Sequence, residues 1–284
     1  MWFFAALVID GALAGIIYAL AALAFVLVYK ASRMINFALG EWMMFGALLT
    51  AAGGMIFAAA GMVALAALFN RLVLRHLTAR PVISSIMVTL GLGAMMRGIA
   101  SFLFADTPKS IGLPIPGGTL DLTGIRIPAD KLTAAAVAAL CIAGLAWFYR
   151  RSRTGLALRA IADDPQAAMS AGIDLDRHRL IVWGLTGTIA LVSGILWTLV
   201  TGGGFGVALV GLKVFPIVIV GGLDSIPGAI AGALAIGILE SLGAGYLDPA
   251  LGGGFGNIAS YLALLAMLAV RPQGLFGQPQ IERV

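Results

Sequence analysis

The chain has 284 residues, of which 61% are hydrophobic and 11% charged, with a net charge of +5 at neutral pH and a mean hydropathy of +1.02. So much apolar surface excludes a water-soluble domain, and Arg and Lys beside membrane spans account for the positive charge without a nucleic-acid partner. The single cysteine, Cys141, excludes an internal disulfide.

At about 20 residues per span, this length predicts one all-α bundle over 1–284 with about eight transmembrane segments and no separate soluble domain. The first apolar run, 4–29, is read as a span. "MWFFAALVID" has neither the basic n-region nor the small-residue cleavage site of a removed signal. Further spans are predicted at 82–104, 132–149, 180–200, 226–243 and 257–270, each bounded by charge or by Gly/Pro clusters. Basic residues collect at Lys30/Arg33, Arg71/Arg75/Arg80, Arg150 to Arg159, Arg177/Arg179 and Arg271, and the positive-inside rule places all five groups in the cytoplasm. The N-terminus is then outside and the C-terminus cytoplasmic.

That assignment requires an even number of crossings between Arg33 and Arg71, within about 36 residues, too few for two full spans. "GEWMMFGALLTAA" and "MIFAAAGMVALAALFN" therefore predict two short helices turning back at Gly53-Gly54. A second conflict lies between 212 and 243, where "LKVFPIVIVGG" is too short to span and "LDSIPGAIAGALAIGILESL" follows it. Interrupted helices survive at membrane depth only where protein or a water-filled cavity satisfies their backbone, so both breaks are candidate pathway elements. The residues concerned are Asn36, Gly40 and Glu41 at the first break, and Gly221, Gly222, Asp224, Ser225 and Pro227 at the second.

Between the cytoplasmic ends of two spans, residues 150–179 hold ten formally charged side chains. Gly155 to Ile161 suits a short helix. Asp164 is placed to N-cap a second helix opened by Pro165, and Gly172 to stop it. The intervening "QAAMSA" is too small and too weakly amphipathic to hold itself down by burial. Defined helix ends on such a segment point to a docking element rather than a linker.

Outside the cell, 105–131 and 244–256 are Pro/Gly-rich and read as ordered loops. Gly11/Gly15 and Gly228/Gly232 have the spacing of close helix packing. Charged groups inside spans need partners or a cavity. Asp10 and Arg97 are assigned to internal ion pairing, Glu240 and Lys213 to the interface, and Glu41 and Asp224 either to helix N-termini or to the pathway. No Walker A motif occurs, and the dipeptide Gly-Lys is absent, so any ATP-binding site belongs to another chain. No catalytic constellation is visible, and His76 and His178 lack partners at metal-ligand spacing.

Gln166-Ala167-Ala168 followed after three residues by Gly172 resembles the coupling motif of ABC importer permeases. "GLALRA" (155–160) and "AGI" (171–173) around it are similar to the LivH type of branched-chain amino acid permease. "MINFALGEWMMFGA", "GLKVFPIVIVGGLDSIPGAIAG" and "RPQGLFG" continue the resemblance in collinear order. Leu39, Asp224, Asn70 and His76 depart from the family pattern, and the stretch between Glu41 and Arg71 is short for it. The resemblance implies a multi-pass subunit of a bacterial cytoplasmic membrane, in contact with lipid and without a cofactor of its own. Its partners would be a second permease (LivM-like, or a second copy), two cytoplasmic ATPases that bind ATP and Mg²⁺, and an extracytoplasmic solute-binding protein. Gly155, Arg159, Asp164, Gln166, Ala167, Ala168 and Gly172 would form the ATPase contact. The implied solute is a branched-chain amino acid, with urea, short amides and small organic or aromatic acids as alternatives. A stand-alone secondary transporter or channel is the competing class.

Overall fold

The computed structural model describes residues 2–77, 81–104, 111, 118–122 and 125–277. In chain order the elements are α1 (Trp2–Ser32), α2 (Leu39–Phe69), a π-helical turn (Asn70–Leu74), α3 (Arg75–Leu77) and α4 (Val82–Leu103). A β-hairpin, β1 (Thr119–Leu122) and β2 (Ile125–Pro128), precedes α5 (Ala129–Arg151), α6 (Arg153–Asp163), α7 (Pro165–Ser170), α8 (Leu175–Thr201), α9 (Gly206–Gly221) and α10 (Ile226–Leu242). A second π-helical turn (Gly243–Leu247), α11 (Asp248–Leu251) and α12 (Phe255–Val270) complete it. Among the described residues six helical segments are long and apolar enough to cross a membrane, and α9 and α12 are shorter apolar helices. The fold is that of a polytopic helical membrane protein.

One of those six segments is a hairpin. α2 is interrupted at Gly54, whose φ of 79° and ψ of 174° leave the helical region. The rings of Trp42 and Phe69 both pack on Trp183, at 6.0 Å and 5.0 Å. A straight helix would hold residues 27 positions apart about 40 Å from each other. The predicted pair of short helices turning at Gly53-Gly54 is therefore present, with Gly54 supplying the left-handed residue that a side chain would strain.

Contacts group the chain into two compact units. The first comprises Met1–Val26, Pro114–Ala139 and Lys213–Val284, the second Leu27–Leu113 and Leu140–Leu212. In the second unit the α2 hairpin packs on α8 through small residues. A Cβ on Gly194 would lie 2.0 Å from the carbonyl oxygen of Met43, and one on Gly46 2.8 Å from Cα of Leu191. Trp42 and Trp183 are fully buried there. In the first unit α1 and α10 meet at Gly11, Gly15 and Gly237, where any Cβ would stand within 2.8 Å of the opposing backbone. Gly228 and Gly232 face α9 at Gly221 and Ile217. Both predicted small-residue pairs thus lie at close helix contacts.

Two expectations need correction. The short helix before the second break begins at Gly206 rather than at residue 212, because "GVALVG" is continuous with the apolar run after it. The stretch 244–256 is partly helical and not simply a loop, with the π turn and α11 preceding three left-handed glycines, Gly252 to Gly254. Within 105–131, β1 and β2 pair antiparallel, Leu120 opposite Ile127. Arg80 and most of 105–117 lie outside the described residues.

Candidate functional site: a capped island and two helix breaks

The island at 150–179 is built by its caps. Ser152 opens α6, its hydroxyl accepting the N–H of Gly155 at 2.8 Å, and α6 buries Gly155, Leu158, Ile161 and Ala162 along one face. Gly155 must be glycine, since a Cβ would lie 2.4 Å from the carbonyl oxygen of Tyr149. Asp164 then caps α7, accepting from the N–H groups of Gln166 (2.9 Å) and Ala167 (3.0 Å), with Pro165 in the first turn as predicted. Gly172, at φ 83°, closes a Schellman motif. Its N–H bonds the carbonyl of Met169 at 2.9 Å, and that of Ile173 bonds the carbonyl of Ala168 at 3.0 Å. Asp174 caps α8 in turn. The caps at Ser152 and Asp174 were absent from the sequence reading, although Ser-x-x-Gly and Asp-Leu-Asp-Arg carry the signal.

What the caps hold up is mostly solvent-exposed. Of α7 only Ala168 is buried, while Gln166, Ala167, Met169 and Ser170 are exposed. Arg159 lies on α6, its guanidinium donating to the carbonyl of Arg150 at 3.4 Å. Beside the C-terminal end of α7 lies an open groove of about 610 Å³, lined by Met169, Ile173 and Leu175 together with Arg75, Asp176 and Arg179. Apolar floor and charged rim are what a protein partner's groove or ridge requires.

The first break, 33–38, also lies in the second unit. Its backbone is satisfied by side chains. The Thr89 hydroxyl accepts from the N–H of Phe37 at 3.3 Å and contacts the carbonyl of Ile35 at 3.2 Å, and Asn36 Oδ1 accepts from the N–H of Ala38 at 3.1 Å. Asn36 is 1% exposed, and its Nδ2 has no partner among the described residues. Gly40 serves packing, because a Cβ there would stand 2.2 Å from the carbonyl oxygen of Ala208. Glu41 is ion-paired with Arg97, whose side chain is 53% exposed against 11% for Glu41. Ser85, Thr89, Gly93 and Arg97 fall at four-residue intervals and form a polar stripe on α4. Gly93 leaves room for the Glu41 carboxylate, 3.2 Å from where a Cβ would be.

The second break belongs to the first unit. Gly222 takes φ 111°, and Ser225, not Asp224, caps α10, accepting from the N–H of Gly228 at 3.1 Å. The hydroxyl sits one residue closer to the helix than the carboxylate and reaches the third N–H. Pro227 lies in the first turn, and Asp224 is half-buried. Gly221 and Gly228 pack backbone to backbone. The tail "RPQGLFG" folds onto this break, with the N–H groups of Leu275 and Phe276 bonding the carbonyls of Val220 (2.8 Å) and Gly221 (3.1 Å). Those are terminal carbonyls of α9 that helix geometry leaves open.

The remaining span charges are also partnered. Asp10 pairs with Lys131 at 2.5 Å and accepts from Ser241 at 3.3 Å, so Asp10 and Arg97 sit in separate ion pairs. Glu240 accepts from Tyr18 (2.9 Å) and Lys213 (3.1 Å) with its side chain 13% exposed. Lys213 does not snorkel freely, because its ammonium also donates to Asn257 at 3.0 Å.

Comparison with known proteins finds relatives over nearly the whole chain. BraD of Pseudomonas aeruginosa, a high-affinity branched-chain amino acid transport system permease protein, is 28% identical over 97% of this chain and 96% of its own. LivH of Escherichia coli K12, described in the same words, is 29% identical over the same shares. Among solved structures, PsaBC from Streptococcus pneumoniae in complex with Fab aligns over 93% of this chain and 91% of that one. Its TM-score of 0.47 and 14% identity are too low to bear on the fold. Residues 7–270 match the family model described as "Branched-chain amino acid transport system / permease component", and the chain belongs to that family.

Proposed function

We propose that this chain, acting as one permease domain over 1–284, is the membrane subunit of a binding-protein-dependent ABC importer that carries a branched-chain amino acid into the cell. Two cytoplasmic ATPases supply the energy and dock on 150–179 through Gly155, Arg159, Asp164, Gln166, Ala167, Ala168 and Gly172. A binding protein delivers the solute outside, and a second permease, LivM-like or another copy, completes the passage. Asn36, Gly40 and Glu41 at the first break and Gly221, Gly222, Asp224, Ser225 and Pro227 at the second bound the solute's route. The N-terminus faces outward and the C-terminus lies in the cytoplasm.

The observation that carries this reading is α7 itself. Its six residues bury one alanine, yet a side-chain cap and a Schellman motif fix both ends. So short a helix has no stability of its own, and its conformation is set for a partner. The names of the relatives support the solute class. The test is co-purification with the ATPases, comparing wild type with Ala168→Glu/Gly172→Pro. Retention by wild type and loss from the variant, with both folded in detergent, is the expected result. Retention by both would remove α7 from the contact.

A further inference from the structure

Among the described residues Arg33 is the one non-glycine residue with a positive φ, 52°. It follows the last turn of α1, its N–H bonding the carbonyl of Tyr29 at 2.7 Å, and its guanidinium stands 5.8 Å from the centre of the Tyr29 ring. From there Nη2 donates to the carbonyl oxygen of Ala162 at 3.1 Å, across 129 positions of sequence. Ala162 is the penultimate residue of α6, where carbonyls lack helical partners and a cation is favoured. Two residues on stands Asp164, the cap of α7.

We infer that Arg33 is a positioning residue that ties the docking helices to the α1–α2 break, so that displacement of α6–α7 by the ATPases is carried to Asn36 and the start of α2. The inference rests on the functional reading above. At one end of the tie is the joint between α6 and α7. At the other is the break between α1 and α2, where the N–H groups of Phe37 and Ala38 are held by the Thr89 hydroxyl and the Asn36 side chain. Such a segment changes shape more readily than a helix, and the residue that leads into it already has a backbone conformation that side-chain-bearing residues disfavour. Strain of this kind persists only where the surroundings enforce it, and here the Ala162 contact is part of what enforces it. For the turn alone asparagine would serve, since it visits the left-handed region readily. What arginine adds is reach to α6.

The experiment uses the complete complex in proteoliposomes: this chain, its permease partner, the ATPases and the loaded binding protein. It records ATPase retention, ATP hydrolysis and leucine uptake. Arg33→Asn keeps the turn and removes the tie. The expected result is unchanged ATPase retention, continuing hydrolysis and about a tenfold fall in leucine moved per ATP, the scale of one lost charge-assisted hydrogen bond. Arg33→Lys, a point charge without the planar fork, falls between the two. An unchanged ratio in Arg33→Asn overturns the inference. So does loss of the ATPases from that variant, which would make Arg33 a support of the dock and nothing more. Should Arg33→Asn fail to fold, Arg33→Lys decides, and a wild-type ratio there overturns the tie. A wild-type chain that holds no ATPase fails the functional reading itself, before any variant is made.

Discussion

The carboxylate of Glu41, in the first turn of α2, is paired with the guanidinium of Arg97 on α4, and the two side chains differ sharply in exposure, 11% against 53%. Removing the arginine strands an enclosed carboxylate, whereas removing the carboxylate leaves an arginine whose long stem can carry its charge toward the membrane surface. Arg97→Gln is therefore expected to destabilise more than Glu41→Gln. The open side of Arg97 lets its long side chain relax, which keeps the loss to about 1–3 kcal/mol, below that of a fully enclosed pair. Thermal unfolding of the detergent-purified chain measures the difference, and equal or reversed losses would contradict the asymmetry.

Gly194 and Gly184 lie on the same helix, but only the first touches another backbone. A Cβ at 194 would meet the Met43 carbonyl oxygen at 2.0 Å, while at 184 nothing lies within 4 Å. Gly194→Ala should cost about 1–3 kcal/mol through overpacking, and Gly184→Ala should be neutral or gain about 0.5–1 kcal/mol from helix propensity. Melting temperatures of the two variants decide it.

Docking should respond to the two residues that fix the ends of α7, Asp164 and Gly172, as well as to its exposed face. Asp164→Ala removes two backbone hydrogen bonds and about 1 kcal/mol of helix stability. Gly172→Ala forces a side chain into φ 83°. Both variants should hold the ATPases several-fold more weakly in a pull-down while melting within about 0.5 kcal/mol of wild type, because α7 contributes little to the core.

At the second break the tail and the helix end depend on each other. A Cβ on Gly274 would stand 2.5 Å from the carbonyl oxygen of Ile219, and its φ is 76°. Gly274→Ala should lift the tail from the terminal carbonyls of α9 and cost about 2 kcal/mol, seen as a lower melting temperature and faster amide exchange at Leu275 and Phe276. Unchanged exchange there would contradict the capping role.

The sequence made legible what is local or counted. Parity between Arg33 and Arg71 required the α2 hairpin, Gly53-Gly54 marked its turn, and the Asp164, Pro165 and Gly172 punctuation located α7. Long-range pairing was not legible. Nothing in the chain says that Asp10 selects Lys131, that Glu41 selects Arg97, or that Glu240 is enclosed by Tyr18 and Lys213, because each pair is set by how spans stack and not by spacing. The same holds for Arg33 and Ala162, and for the tail that caps α9. Ser225 was passed over for Asp224 because both are capping residues, and only backbone geometry separates adjacent candidates.

The most direct test of the central claim is uptake of labelled leucine into proteoliposomes containing the chain with its permease partner and ATPases, with binding protein outside and ATP inside. Uptake that requires ATP, the binding protein and an intact α7, and that stops with Ala168→Glu/Gly172→Pro, is the predicted result. Uptake by the chain alone, without ATPases and indifferent to α7, would contradict it and establish a self-sufficient transporter.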